Sequence, residues 1–480
     1  MDTNRLSRRS LIRALGMGAG LTLAAPILAA CGQPAAPAPT AAPAKPAEPA
    51  KPAAPAAPTT APAAAAQPAV LAGKGDQPIV LWSGQLVFED QSTAMGRWAT
   101  SVRNIFADKN PGYTLKVEDH GWDQPLRTGL LTAIAGGTVP EVTTGEAFVH
   151  EFASLGAFLP VPDLTEKDFV YGSIAGSLYK GQLYGVPIYT SAFALETNVR
   201  VAQKAGLDPN KPPKTWAELI ENSEKAFRAG SGNFVGYNLY GPAPNRVYGT
   251  VLRTIPWINQ TGKPLGDDEG TKASFNAPEH VAAYEFSRKL FKTADPGNSF
   301  SGDEGKLYSY NWQDKAVYQI SQMGFVQGAK DAGAEIVYYP LPRKDPNVSG
   351  NVVLGNIVFS PLAKSKNPEG AIAFVKYMAD KETQKQIGEI LGNRLPPRLD
   401  LLKDPALEKL AGYQSLNPVA ARTYADILLN EDVRPVPPYA KNPDKIWIAW
   451  GDMFGKILQS GDPVQPMLDQ LQQEVERLLR

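Results

Sequence analysis

Residues 181–227 read GQLYGVPIYTSAFALETNVRVAQKAGLDPNKPPKTWAELIENSEKAF, and this stretch decides the fold. Its second half contains a capping box just before an apolar-periodic run. Thr215 can accept a hydrogen bond from a free amide of the first helical turn, and Glu218 can reach back to the amide of Thr215. We therefore predict that a helix starts at this threonine.

Upstream of this stretch, strand and helix patterns alternate. Residues 77–82 (QPIVLW) predict a buried strand, and residues 95–106 place apolar side chains at helical spacing. Residues 113–118 (YTLKVE) alternate as a strand does, residues 126–134 return to helical spacing, and residues 140–144 (PEVTT) are extended. This βαβαβ order predicts an α/β fold with an open, largely parallel sheet.

In sheets of this kind, ligands lie beyond the carboxyl ends of the strands. The loops that begin at Ser83 and Gly145 follow two of the predicted strands. We therefore expect these two loops to carry binding groups.

Two further helices are predicted towards the C-terminus. Asn367 has the chemistry of an N-cap, and Pro368 then occupies the first helical position. The last helix begins near Pro463 and places its apolar residues on one stripe, namely Val464, Met467, Leu468, Leu471, Val475, Leu478 and Leu479. We interpret it as a packed closing helix rather than a partner-binding one.

The N-terminus has the pattern of an export signal spanning residues 1–30. Four arginines precede residues 14–30, which carry no charge. Cys31 is the single cysteine of the chain and follows Leu-Ala-Ala, which resembles the bacterial lipobox, where the cysteine becomes the acylated N-terminus. The pair Arg8-Arg9 resembles a twin-arginine signal. The alternative is a plain signal peptide that ends near Ala30.

From residue 31 to residue 75 the chain consists mainly of proline and alanine, with threonine and few charges. Closely spaced prolines block helices and favour an extended chain, so we predict a disordered tether behind the lipidated cysteine. Residues 76–480 are too many for one ordinary core and suit two lobes. With one cysteine, no intrachain disulfide is available to hold them.

The composition narrows the function. The chain has 48 Lys and Arg against 48 Asp and Glu, and this near-neutral balance argues against nucleic-acid binding. His120, His150 and His280 are too scattered to indicate a metal site, and His150 is expected at the edge of a core. We find no nucleophile elbow, phosphate loop or Cys-His pair in the sequence, so we predict no catalytic residue and no cofactor.

Several motifs occur together in residues 76–480. Residues 181–227 contain, in order, a Gly-Val-Pro strand, a strand that ends in asparagine, AGL and PPKTW-x-E. Supporting segments are GTVPEV, SLGAFLPVPDL, SKNPEGAIAFVKYMADKETQKQ and GNRLPPR. This set resembles the bacterial extracellular solute-binding proteins of family 1, which are receptors of ABC importers related to maltose-binding protein.

Two positions depart from that family pattern. Glu141 stands where aspartate is usual, and Glu196-Thr197 stands where an aromatic residue commonly precedes the asparagine. Both departures leave the fold prediction intact and leave the identity of the ligand open.

The resemblance implies a two-lobed periplasmic-binding-protein-like fold of type II, with a mostly parallel sheet flanked by helices in each lobe and a hinge between the lobes. The implied ranges are 76–190 and 355–402 for the first lobe, 191–354 and 403–480 for the second, and crossings at 189–194 and 352–356. Short crossing segments of this kind can absorb a hinge rotation.

The same resemblance implies the partners. The protein would be a monomer and no enzyme, and it would capture a small solute and deliver it to the transmembrane subunits of an ABC permease. Lipidated Cys31 would hold it at the outer face of the cell membrane.

A carbohydrate is the solute we expect. A sugar ring stacks its apolar face on aromatic rings and offers hydroxyls to carboxylates and amides, so a saccharide cleft should mix these types. The candidates are Gln85, Glu89, Trp122, Glu146, Tyr189, Phe325, Asn356, Arg394 and Trp447. For each, the alternative is core packing or a solvated loop, whereas Trp98 and Trp216 are predicted to be core residues.

Two other functions stay open at this point. The same fold could bind a non-sugar solute, such as glycerol phosphate, a polyamine, a peptide or a metal. A secreted polysaccharide-acting enzyme would instead use Glu89 and Glu146 as paired carboxylates.

Overall fold

The structure is a computed structural model that describes residues 69–480 except 146–147, 245–246, 268, 353–356 and 440. Its strands are β1 (Val70–Ala72), β2 (Gln77–Trp82), β3 (Tyr113–Glu118), β4 (Val142–Gly145), β5 (Leu178–Tyr179), β6 (Gln182–Leu183), β7 (Val186–Pro187), β8 (Phe193–Asn198), β9 (Val235–Asn238), β10 (Ala316–Gln322), β11 (Ile336–Tyr339), β12 (Asn351–Val352), β13 (Val358–Pro361) and β14 (Val433–Arg434).

The α-helices in the first half of the described chain are α1 (Ala94–Lys109), α2 (Asp123–Gly136), α3 (Val149–Ser154), α4 (Tyr171–Ala175), α5 (Val199–Lys204), α6 (Trp216–Gly230), α7 (Val247–Asn259) and α8 (His280–Phe291). Those that follow are α9 (Pro296–Ser299), α10 (Glu304–Trp312), α11 (Val326–Asp331), α12 (Pro368–Ala379), α13 (Lys381–Gln386), α14 (Leu399–Leu402), α15 (Ala411–Leu416), α16 (Pro418–Asn430), α17 (Pro443–Gln459) and α18 (Val464–Leu479).

The first sheet has the strand order β1-β3-β2-β4-β13-β7. Strand β2 pairs in parallel with both β3 and β4, which confirms the predicted βαβαβ unit. Strands β1 and β13 run against their neighbours, so the sheet is mixed although four of its six strands share one direction. Ile79, Leu81 and Val117 are fully buried because helices cover the sheet.

The second sheet has the strand order β11-β8-β10-β9. Strand β8 is antiparallel to both of its neighbours, whereas β9 and β10 are parallel. Strand β8 follows β7 of the first sheet, strand β13 follows β12 of a separate two-stranded sheet, and no helix among the described residues separates the strands of either pair. The rule that makes βαβ strands parallel therefore does not set their direction.

The described fold starts before the predicted boundary at residue 76. Val70–Ala72 forms an edge strand antiparallel to β3, and Val70 and Ala72 are buried in the core of the first sheet. The end of the Pro/Ala-rich segment thus differs from the predicted tether, because its apolar residues cover an otherwise open sheet edge.

The helix starts follow the predicted caps, with one difference. The Thr215 hydroxyl accepts from the Glu218 amide at 3.2 Å, and the Asn367 side chain accepts from the Gly370 amide at 2.9 Å. The prediction that Glu218 bonds the amide of Thr215 was wrong, because its carboxylate accepts from the amide of Lys214 at 2.6 Å. The reach-back contact therefore lies one residue earlier.

Asn198 explains why β8 ends where it does. Its side-chain oxygen accepts from the Val201 amide at 3.0 Å, which caps α5. Its side-chain nitrogen donates to the carbonyl of Asn311 at 2.8 Å and to Asp314 at 2.9 Å. One buried asparagine thus ends a strand, starts a helix and attaches both to the end of α10.

The cores match the apolar pattern of the sequence. Trp98 has no exposed surface and lies in the core of the first sheet, and Trp216 is buried in the core of the second. Helix α18 packs its predicted stripe against α17 and α8, with Leu468 and Val475 fully buried. Among the residues that the structure describes, no helix combines the length and the apolar composition needed to cross a bilayer.

The close contact between β9 and α6 allows this packing to be tested by mutation. A methyl group at Gly236 would overlap the backbone of Ser223, so Gly236→Ala must push the strand away from the helix. We expect a loss of about 1–3 kcal/mol in the free energy of unfolding, measured by urea denaturation. Gly112→Ala is the control, since nothing lies within 4 Å of its added methyl group. Equal midpoints for the two variants would contradict this packing.

Candidate functional site

The loop after β2 carries the first group of the site. The hydroxyl of Ser83 accepts from the amides of Gln85 at 3.2 Å and Leu86 at 3.3 Å, which turns the chain at the carboxyl end of the strand. The Tyr189 hydroxyl donates to the side-chain oxygen of Gln85 at 2.9 Å. A residue between β7 and β8 therefore reaches the loop that the sheet topology indicates.

Arg394 lies beside this pair. Its guanidinium carbon is 5.3 Å from the centroid of the Tyr189 ring, a cation–π arrangement. The backbone next to it is fixed by mutual hydrogen bonds between Thr190 and Leu395, at 2.7 and 3.1 Å. The Tyr413 hydroxyl also donates to the carbonyl of Arg394 at 2.8 Å. We call Gln85, Tyr189 and Arg394 the polar trio.

The second sheet contributes aromatic rings. Gly324 approaches the guanidinium of Arg394 so closely that any side chain there would overlap it. The next residue, Phe325, packs on Tyr308 with ring centroids 3.5 Å apart. Trp312 stacks on the same tyrosine at 6.3 Å, and Tyr240 lies at 5.3 Å from it. We call Tyr240, Tyr308, Trp312 and Phe325 the aromatic cluster.

A buried cation supports the aromatic cluster. The Arg253 guanidinium carbon is 3.9 Å from the Tyr240 ring centroid and 4.7 Å from that of Tyr308. Both tyrosine hydroxyls donate to Glu304, at 3.0 and 3.2 Å, and Glu304 is 3.9 Å from Arg253. Burial lowers the pKa of Arg253 below its ordinary value, and Tyr240 and Glu304 act in the opposite direction.

Glu196 holds the tryptophan of the aromatic cluster. It has no exposed surface, and its carboxylate accepts from the Trp312 indole at 2.9 Å and from the Gln319 amide at 2.7 Å. Burial raises the pKa of Glu196 to about 7, although hydrogen bonds from Ser321, Gln319 and Trp312 oppose the rise. A buried carboxylate in the centre of the sheet thus orients a ring of the site.

A second group lies at the carboxyl ends of β2 and β3. The His120 ring stacks on Trp82 at 3.7 Å, and both donate towards Glu118, with His120 Nε2 and Trp82 Nε1 at 3.0 and 3.1 Å from one carboxylate oxygen. Burial would raise the pKa of Glu118, but hydrogen bonds from Lys116 and His120 outweigh it and lower that pKa. This group closes the carboxyl edge of the first sheet.

The side chain of Arg127 contacts a carboxylate on a helix that packs in the core of the other sheet. Arg127 of α2 forms an ion pair with Glu151 of α3 and also lies 3.9 Å from the carboxylate of Asp444 in the first turn of α17. Ile448 follows Asp444 by one turn and is half exposed. The exposed face of α17 therefore lies opposite α2.

The structure brings four of the predicted site residues together. Gln85, Tyr189 and Arg394 form the polar trio, and Phe325 adjoins it through Gly324. Trp122 packs on the core of the first sheet, and Glu89 is exposed on the loop near Arg103. Glu146, Asn356 and Cys31 lie outside the described residues.

Trp447 lies apart from the other candidates. It is buried beside Phe275 and Tyr439 in the core of the second sheet. For this candidate, core packing, the alternative to ligand binding, is therefore what the structure shows. Helix phase is the reason: positions 444 and 448 share one face of α17 because they are four residues apart, and residue 447 points inward.

Some site residues were missed in the sequence. Tyr240, Arg253 and Glu304 carry no motif, and they meet only in the folded chain. Tyr308 and Trp312 are four residues apart on α10, and this spacing could have indicated an aromatic helix face. Of the two departures from the family pattern, Glu141 is structural: its carboxylate accepts from the amides of Val80 at 2.8 Å and Lys366 at 3.1 Å.

Comparison with known proteins identifies the fold. The sequence profile of the bacterial extracellular solute-binding proteins matches residues 88–385. The chain belongs to this family. The structure superposes on the cyclic alpha-maltosyl-1,6-maltose binding protein of Arthrobacter globiformis with a TM-score of 0.70 and 18% identity, covering 84% of this chain and 99% of that one. The two-lobed type II fold of these solute-binding proteins, predicted from the motifs, is thereby confirmed.

Two curated relatives extend the comparison. A binding protein of Brucella abortus is 29% identical over 33% of this chain, and the match spans only 38% of the relative's length. The sn-glycerol-3-phosphate-binding periplasmic protein of Yersinia pestis is 29% identical over 64% of this chain and 68% of its own length. Both relatives are named as binding proteins.

The raised pKa of Glu196 predicts how stability depends on pH. The unfolded carboxyl loses its proton near its ordinary value of 4.5, whereas the folded one keeps it to about 7. Stability should therefore fall as the pH rises through this window and level off above it. As the pH rises from 5 to 8, ionisation of Glu196 should lower the free energy of unfolding by roughly 2–3 kcal/mol. Glu196→Gln has no carboxyl at this position and should not show this loss.

Urea unfolding at several pH values measures this component. The exposed Glu221→Gln on α6 is the control and should follow the parent protein. If the parent and Glu196→Gln lose stability with the same slope, the buried carboxyl does not titrate in this range.

Proposed function

We propose that this protein is an extracytoplasmic substrate-binding lipoprotein of an ABC importer. It captures a polar solute of the carbohydrate class in a cleft between two lobes and delivers it to the permease. The lobes are residues 76–190 with 355–402 and residues 191–354 with 403–480, and the N-terminal β1 is added to the first lobe.

The contact between the polar trio and the aromatic cluster carries this proposal. Hydrogen-bonding side chains from the first sheet's side meet stacked rings from the second sheet's side at Gly324. A ring-shaped polyol uses both types, because its apolar face stacks on aromatic rings and its hydroxyls bond polar side chains. The maltose-type sugar for which the Arthrobacter protein is named supports the same class.

Closure of the cleft needs contacts that only one state makes. Arg127 and Asp444 supply such a contact, because they sit on helices of different lobes and lie 3.9 Å apart. A solute that touches both the polar trio and the aromatic cluster adds further contacts that only the closed state makes. The closed, solute-bound protein is then the form that the permease binds.

Removal of one ring tests the site. Phe325→Ala deletes the aromatic residue that directly follows Gly324, which packs against Arg394, so we expect at least about tenfold weaker solute binding, which corresponds to about 1.4 kcal/mol. Thermal shift with maltose, glucose and sn-glycerol 3-phosphate finds a binding probe, because a ligand of the folded state raises its melting temperature. Titration calorimetry then measures the affinity.

Phe227→Ala is the matched control, since Phe227 is 42% exposed on α6 and lies outside the site. Unchanged affinity in Phe325→Ala would show that the solute binds elsewhere. X-ray scattering of the unmodified protein should also show compaction with the same probe.

The lipid anchor has its own test. Protein extracted from cell membranes should lack residues 1–30 and carry acyl chains on Cys31, which intact mass spectrometry detects. Each buried methylene contributes about 0.8 kcal/mol, so two chains suffice for stable attachment. Cys31→Ser should move the protein to the soluble fraction with its solute affinity unchanged. Membrane retention of this variant, or an unmodified Cys31, would overturn the anchor.

A further inference from the structure

We propose that the solute carries an oxyanion, a phosphate or a carboxylate, and that Arg394 binds it. This inference rests on the proposed function and names the solute class of the same cleft. It is carried by the position of Arg394 and by the lack of an acidic partner for it among the described residues.

Arg394 is a cation with unused donors. A guanidinium has five N–H groups, and the hydrogen bond that Arg394 makes goes from Nη1 to the carbonyl of Asn393 at 2.8 Å. Within residues 69–480, gaps excepted, no carboxylate oxygen lies within 4 Å of it. The other arginines near the site differ, since Arg127 pairs with Glu151 and Arg253 lies 3.9 Å from Glu304.

The guanidinium is held in place before any ligand arrives. It is half-buried over the Tyr189 ring, its backbone is tied by the pairing of Thr190 with Leu395, and Gly324 packs against it from the second sheet. A positioned planar fork matches the two oxygens of a phosphate or carboxylate. Because the side chain is already ordered, binding costs little additional entropy.

The neighbours decide what else the solute contains. Gln85 adds an amide that already bonds the Tyr189 hydroxyl, and Phe325 adds an aromatic ring next to Gly324, which packs against Arg394. An oxyanion linked to an organic body can contact these groups as well as the guanidinium, whereas inorganic phosphate has no organic body with which to do so. We therefore expect a phosphorylated or carboxylated polyol to bind more tightly than inorganic phosphate.

Calorimetric titration of the unmodified protein separates the classes. The phosphate probes are sn-glycerol 3-phosphate and glucose 6-phosphate, the carboxylate probe is glucuronate, and the neutral probes are glycerol, glucose and maltose. We expect at least one anionic probe to bind at least tenfold more tightly than its neutral counterpart, with affinity that falls as salt increases. Binding by glucuronate alone would identify a carboxylate as the source of the charge.

Variants then assign the charge to Arg394. Arg394→Gln should lose at least about 100-fold in affinity for the anionic probe, and Arg394→Lys should lose less because it keeps the charge without the fork. Arg97→Gln is the matched control, since Arg97 is an exposed arginine that also bonds backbone carbonyls, at 3.1 and 3.0 Å. It should bind as the parent protein does. Circular dichroism checks that each variant is folded.

The outcomes distinguish this inference from the proposed function. If a neutral sugar binds as tightly as its phosphate and Arg394→Gln keeps that affinity, the inference is overturned and the solute-binding function stands. If no probe binds and scattering shows no compaction, the proposed function fails and the inference with it. Loss of anion binding in Arg394→Gln but not in Arg97→Gln supports both.

Discussion

The mutual hydrogen bonds between Thr190 and Leu395 are the constraint on which the site depends. They hold the chain that leaves the first sheet against the segment that carries Arg394. Tyr189 and Arg394 are therefore neighbours although 205 positions apart in a chain that visits the second sheet between them. The polar trio forms where the chain passes between the sheets, because backbone pairing there brings the two segments side by side.

The second sheet stabilises its half of the site in a different way. It buries a carboxylate, Glu196, and a guanidinium, Arg253, behind the aromatic cluster. Burial of charged groups costs free energy unless hydrogen bonds or rings compensate it. Here the partners are Trp312, Gln319, Tyr240 and Tyr308, so the compensation also fixes the orientation of the rings. Burial of these charged groups lowers the stability of the fold at neutral pH, and the same contacts define the shape of the site.

The family match accounts for the fold, and the departures account for what is particular to this chain. Glu141 directly precedes β4, and its carboxylate accepts hydrogen bonds from the backbone amides of Val80 and Lys366. Glu196 of β8 stands where an aromatic residue is common and instead receives a hydrogen bond from Trp312, an aromatic residue of helix α10. The ring is thus supplied from α10 rather than from β8.

Local chemistry in the sequence was sufficient for the elements. Apolar periodicity and caps at Thr215 and Asn367 determined the helices and the βαβαβ unit, because these signals act over a few neighbouring residues. The strand order placed Gln85 in a loop after a strand, and the family resemblance placed Tyr189 at a crossing, whereas Phe325 and Arg394 were candidates from their own short motifs. Only the tertiary structure decided that these four meet, that Trp447 faces the core, and that β1 covers the sheet edge. Those outcomes depend on helix phase, strand direction and contacts between residues far apart in the chain, and no local pattern records them.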